Sequence, residues 1–129
     1  MYIKSLNDAE PYEAPNHQKC HSVRLAGFED YGPKNFWVGY SQFLPGGGAG
    51  PDTSPLEKVY VIINGSLTIK VDGNTKIANP GDTVFIPGGK EREIRNETNE
   101  VVIMNVVMPY PLKDKEEVNL KFETSKRRR

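Results

Sequence analysis

The chain has 129 residues, enough for one domain with a core of its own. Seventeen Lys and Arg balance seventeen Asp and Glu, so no overall field draws it to nucleic acid or to a membrane surface. A single cysteine, Cys20, excludes an intrachain disulfide, the N-terminal "MYIKSLNDAEPYEAP" lacks the apolar core of a signal peptide, and no apolar run approaches the ~20 residues of a membrane helix. A cytoplasmic protein is expected, and a net charge of zero is compatible with a homodimer.

Ten prolines and twelve glycines punctuate the chain, and no long stretch carries clean helical periodicity. Residues 1–34 read as an N-terminal arm, partly strand, with a short strand expected near Met1–Leu6 and a proline-broken connection after it. "HQKCH" places His17, Cys20 and His21 within five residues. Such a cluster either contributes ligands to a zinc or iron site or is a surface segment with neutral imidazoles and an unreactive thiol.

Residues 35–111 read as the strand-rich core. "NFWVGYSQFL" (35–44) and "EKVYVIIN" (57–64) are strands rich in β-branched and aromatic residues. Between them "PGGGAG" lacks the Gly-Lys-Ser/Thr of a P-loop and reads as a flexible lip at a barrel mouth. "SLTIKVDGNTKIA" (66–78) is a hairpin, with Leu67, Ile69 and Val71 alternating and Asp72-Gly73 as its tight turn. Strands follow within 80–89, 91–96 and 100–111. Residues 112–129 hold "EEVNLKFET", whose alternating Val118, Leu120 and Phe122 suggest a last strand, a helix over Lys113–Lys121 being the competing reading; "SKRRR" reads as a solvated, disordered tail. Short strands at this spacing argue for an all-β sandwich or barrel.

The spacing of certain residues resembles the cupin superfamily. Gly46, positions 52, 54 and 58, and Gly65 follow the first cupin motif, G-x5-H-x-H-x3-E-x6-G. Gly81, Pro87, Gly89, position 92 and Asn96 follow the second, G-x5-P-x-G-x2-H-x3-N. The resemblance covers about residues 35–110 and is that of a small single-domain cupin with degenerate ligand positions. It implies a double-stranded β-helix, or jelly roll, of two packed antiparallel sheets around a ligand cavity, usually as a dimer.

In a metal-binding cupin the four converging positions are His, His, Glu and His. Here they are Asp52, Ser54, Lys58 and Arg92. Charged Lys and Arg do not ligate a divalent cation, and the set offers essentially one donor. No metal or other cofactor is therefore expected at these positions. Two inward cations about 5 Å apart would repel by on the order of 3 kcal/mol at an effective dielectric near 20. Asp52 can neutralise one; an anionic ligand such as a carboxylate, an enolate or a phosphate suits the other. Alternatively the cations pair at the rim with Asp52, Glu57, Glu91 or Glu93. Tyr40 and Tyr60 share the inward parity expected of Lys58 and are candidate donors, or core residues with a satisfied hydroxyl; Trp37 reads as core.

These residues are compatible with a metal-independent protein that binds a small carboxylate or other oxyanion. They are also compatible with a metal-free isomerase, epimerase or lyase in which Lys58 is the base, Arg92 the anion clamp, and Tyr60 or Asp52 the acid or orienter. A metal-dependent enzyme drawing on His17, Cys20 and His21 is a further alternative, and a structural module with a vestigial site another.

Overall fold

The computed structural model describes residues 1–111. Among these described residues nine strands occur in chain order: β1 (Glu10–Tyr12), β2 (His17–Ala26), β3 (Trp37–Thr53), β4 (Lys58–Asn64), β5 (Leu67–Val71), β6 (Asn74–Ala78), β7 (Thr83–Ile86), β8 (Glu91–Arg95) and β9 (Val102–Met108). All pairs are antiparallel, in the order β6-β5-β8-β3-β9-β4-β7, with β2 also on β3 and β1 outside β2. The sheet curls into a nearly closed jelly-roll barrel. No helix among the described residues is long and apolar enough to cross a membrane. Residues 112–129, with the expected last strand or helix and basic tail, lie outside the described residues.

Period-two alternation sets what faces inward. On β4, Lys58, Tyr60 and Ile62 are buried while Val59 and Val61 are half-buried. On β9, Val102, Met104 and Val106 are buried, and on β8, Arg92 and Ile94. Tyr60, Ile62, Ile94, Val102, Met104 and Val106 join Phe43, Leu67 and Ile86 in one continuous core. The β5–β6 hairpin turns on Asp72 (φ 47°) and Gly73 (φ 82°), two positive φ angles in succession as a tight primed turn requires.

Two expectations are corrected. The glycine run is not a flexible lip but the middle of β3. Trp37–Phe43 pairs with β9, whereas Gly48–Thr53 pairs with β8, so the strand passes from one neighbour to the other across residues 44–47. The glycines permit close backbone approach: a Cβ at Gly47 would lie 2.6 Å from the Lys19 carbonyl oxygen, and one at Gly48 would overlap the Ile94 carbonyl oxygen. Nor is there a strand at Met1–Leu6; residues 1–5 are irregular and a single 3-10 turn follows at Leu6–Asp8. Side chains fasten this segment instead, with Lys4 Nζ, Tyr2 Oη and the Gly27 amide all donating to the Glu29 carboxylate at 2.6–2.9 Å. Behind it, β2 covers β3 from Val38 to Ala49 and supplies a wall of the barrel.

Asn96 shows why its position carries an amide. It is 0% exposed. Its Nδ2 donates to the Phe43 and Glu100 carbonyls (2.9 and 2.7 Å), and its Oδ1 accepts from the Thr98 amide and hydroxyl (3.0 and 2.7 Å). Asn96→Ala would strand the buried Phe43 carbonyl, so a loss of about 3 kcal/mol is expected. A urea unfolding curve checks this; a midpoint unchanged from wild type would contradict it.

Candidate functional site in the barrel cavity

A cavity of about 430 Å³ opens at the end of the barrel where β3 finishes and β4 begins. That is within the size range of small-molecule pockets. Asp52, Ser54, Lys58, Tyr60 and Arg92 all line it. The motif spacing thus brings together residues from β3, the following turn, β4 and β8. A more open groove of about 770 Å³ lies beside β6 and β7. Lys90, which lines it, is ion-paired to Asp72 at 3.0 Å, and none of its lining residues is a buried cation. The barrel cavity is therefore the better site.

Arg92 is 5% exposed and Lys58 8%. Arg92 stands opposite Asp52 in the β3–β8 register, and its Nη2 donates to Asp52 Oδ1 at 3.1 Å. Its Nε and Nη1 are buried with no partner among the described residues. None of the ion pairs among the described residues involves Lys58. Glu57 and Glu91 take no part in them, and Glu93 pairs with Arg95 at 3.6 Å. Of the possible rim pairings, only Arg92–Asp52 forms.

Burial, reinforced by the Arg92 charge and opposed by Asp52, pushes the Lys58 ammonium down to about 8. Tyr60 is 3% exposed, and burial pushes its phenol up to about 12, so it is a neutral hydrogen-bond donor. Ser54 Oγ accepts from the Leu56 amide at 3.1 Å, which shapes the turn into β4. Tyr40 does not line the cavity and is corrected: over Trp37–Phe43 of β3 the buried residues are Trp37, Gly39, Ser41 and Phe43, so Tyr40 falls on the opposite face of the strand.

The donor set does not fit a divalent metal. Asp52 is engaged by Arg92, the Ser54 hydroxyl by its own turn, and the other two positions are cations. His17, Cys20 and His21 do not make good the deficit. His17 lines the cavity, Cys20 packs against the core with Sγ 3.3 Å from Ser22 Oγ, and His21 is exposed. No group of three or more His, Cys, Asp or Glu among the described residues could hold a metal ion.

His17, which the sequence left either as a candidate metal ligand or as a surface residue, lies at the cavity. Strand β2 pairs it with Ala49 at the cavity wall, and its ring stacks on Phe43 with centroids 6.2 Å apart. Nδ1 lies 2.7 Å from the Pro15 carbonyl, which can only accept; Nδ1 therefore carries the proton and Nε2 keeps its lone pair. Burial, with Arg92 and Lys58 nearby, lowers its pKa despite the Pro15 hydrogen bond and Asp52. Arg24, Tyr12 and Trp37 also line the cavity. The long-range pairing of β1 on β2 and of β2 on β3 sets the positions of Tyr12 and Arg24.

The pH dependence follows from Lys58. Its folded pKa lies below the ordinary value, so between about 8 and 10.5 the unfolded chain binds more protons than the native one. The Lys58 contribution to the stability of the ligand-free protein should therefore rise with pH from about 8, until above about 9 the buried Cys20 thiol and then the Tyr60 phenol, both pushed up by burial, oppose it. Anion binding favours the protonated amine, so affinity for a carboxylate should fall by up to about tenfold per pH unit above 8. Opposite trends in thermal unfolding and in titration at pH 7, 8 and 9 would check both signs; parallel trends would contradict them.

Comparison with known proteins matches residues 39–108 to the family described as the cupin domain. A Mycobacterium tuberculosis protein named beta-D-galactosidase is 34% identical over 112 residues, covering 87% of this chain and 97% of that protein. The polyketide cyclase RemF from Streptomyces resistomycificus has a TM-score of 0.75 at 20% identity, over 84% of this chain and 79% of that one. An RmlC-like cupin from Shewanella frigidimarina has a TM-score of 0.70 at 15% identity, over 90% and 96%. At those identities the two structures speak for the fold alone. With the family match spanning more than half of the residues and a relative aligned over nearly its whole length, the chain belongs to the cupin family.

Proposed function

We propose that the barrel cavity binds a small organic anion, held by Arg92 and Lys58, and does so without a divalent metal. The observation that carries this is Arg92: a guanidinium 5% exposed, with one nitrogen on Asp52 and two donors left without a partner among the described residues. Buried donors are almost always satisfied, and a carboxylate is a strong, charge-matched acceptor for such an N–H. Lys58 adds a second buried positive charge. Lys58 and the Nε2 of His17 are also groups able to exchange a proton with a ligand so held.

The test is elemental analysis of tag-free protein purified without chelator, followed by thermal unfolding with acetate, pyruvate and phosphate. Less than about a tenth of an equivalent of any transition metal, with stabilisation by a carboxylate, is the expected result. One equivalent of bound metal would overturn it.

A second reading comes from the relative named beta-D-galactosidase. Asp52 and Glu13 both line the cavity, and a pair of carboxylates is what glycoside cleavage usually employs. Hydrolysis of a nitrophenyl β-galactoside, lost in Asp52→Asn, would favour this reading over simple anion binding.

A further inference from the structure

Among the described residues, five buried side-chain polar atoms lack a partner: Arg24 Nε, Trp37 Nε1, Arg92 Nε, Arg92 Nη1 and Asn105 Oδ1. The first four belong to three residues that line the barrel cavity, and all four are donors. Whatever completes the cavity must bring acceptors to more than one place.

The two places are separate in the fold. Arg92 stands opposite Asp52 near the end of β3, while Arg24 stands opposite Gly39 near its start. At the second place the Arg24 guanidinium lies 4.0 Å from the Phe28 ring centroid and 5.0 Å from that of Tyr12. Both rings in turn contact Trp37, with centroids 5.6 and 5.5 Å from it. Arg24, Trp37, Tyr12 and Phe28 therefore form one cluster. Its aromatic surfaces take up the face of the guanidinium and leave N–H edges for an acceptor. Arg24 takes part in none of the ion pairs among the described residues. Two cations without a carboxylate partner, Arg24 and Lys58, thus line one cavity whose other wall is apolar, with Met104, Val106 and Met108.

We infer that the ligand is an elongated dicarboxylate, with one carboxylate on Arg92 and Lys58 and the other on Arg24 and the Trp37 indole N–H. This rests on the anion-binding reading and adds the ligand class to it. A single small anion would satisfy only one of the two donor groups. A neutral chain between the carboxylates suits the apolar wall.

The test is calorimetric titration of the full chain at pH 7 with butyrate, succinate, glutarate, adipate and inorganic phosphate. At least one dicarboxylate is expected to bind about 10- to 100-fold more tightly than butyrate, as one additional charge-assisted contact allows. That preference should vanish in Arg24→Met and shrink several-fold in Trp37→Phe, which keeps an aromatic ring and removes only the indole donor. Trp37→Phe carries the test if Arg24→Met fails to fold. Butyrate, phosphate and all dicarboxylates binding equally would overturn the two-point ligand while leaving anion binding intact. So would a preference that survives both substitutions. Absence of binding by every anion would overturn the anion-binding reading itself, and the dicarboxylate with it.

Discussion

Arg92→Met is expected to abolish measurable binding of small carboxylates, a loss of about 100-fold or more, while the barrel still folds. Truncating a buried charged group that hydrogen-bonds its partner commonly costs 2–5 kcal/mol or more of binding. Folding should survive for a different reason. The removed side chain carries two unsatisfied buried donors, so its loss also removes a desolvation cost. Its partner is not stranded, because the Asp52 side chain is 37% exposed and can be hydrated. Arg92→Lys should recover only part of the affinity, since an ammonium restores the charge but not the fork. Calorimetry with a carboxylate, alongside a urea unfolding curve, measures both effects. Wild-type affinity in Arg92→Met would remove the anion site from this cavity.

Gly48→Ala should do the reverse and break the fold. A Cβ at residue 48 would overlap the Ile94 carbonyl oxygen and lie 3.0 Å from the Arg95 Cα, both in backbone that cannot swing aside. Strand β8 must then separate from β3, and with it goes the Asp52–Arg92 pairing. A loss of about 4 kcal/mol or more is expected, a large fraction of the ~5–15 kcal/mol that stabilises a typical domain. Gly73→Ala is the contrast. Nothing lies within 4 Å of a Cβ there, so only the positive φ of 82° is penalised, by about 1–2 kcal/mol. Equal unfolding midpoints for the two variants would show that close approach at Gly48 is not what holds β3 to β8.

The turns made much of this fold legible. Asp72-Gly73 marks a hairpin because two successive positive φ angles need those residue types, and Asn96 marks a corner because one amide there satisfies both carbonyls and N–H groups. The convergence of Asp52, Lys58 and Arg92 was legible from the resemblance to the two cupin motifs, strand parity adding only which way each side chain faces along its own strand. What stayed hidden is non-local. A glycine run looks the same whether it loosens a loop or lets two backbones touch, and only the pairing partners of β3 decide which. His17 and Arg24 enter the cavity because β2 pairs with β3, His17 opposite Ala49 and Arg24 opposite Gly39, with register shifts between them; nothing in "HQKCH" announces that. Tyr40 was misplaced because parity counted on β4 does not carry over to β3, where Trp37 and Phe43 set the inward face.

The most direct test of the barrel cavity as an organic-anion site is a calorimetric titration of glutarate into the metal-free full chain at pH 7, repeated at pH 9. One site per chain at pH 7, weakened at pH 9 as Lys58 loses its proton, is the expected result. No heat at either pH, or binding that appears only after a divalent metal is added, would contradict it.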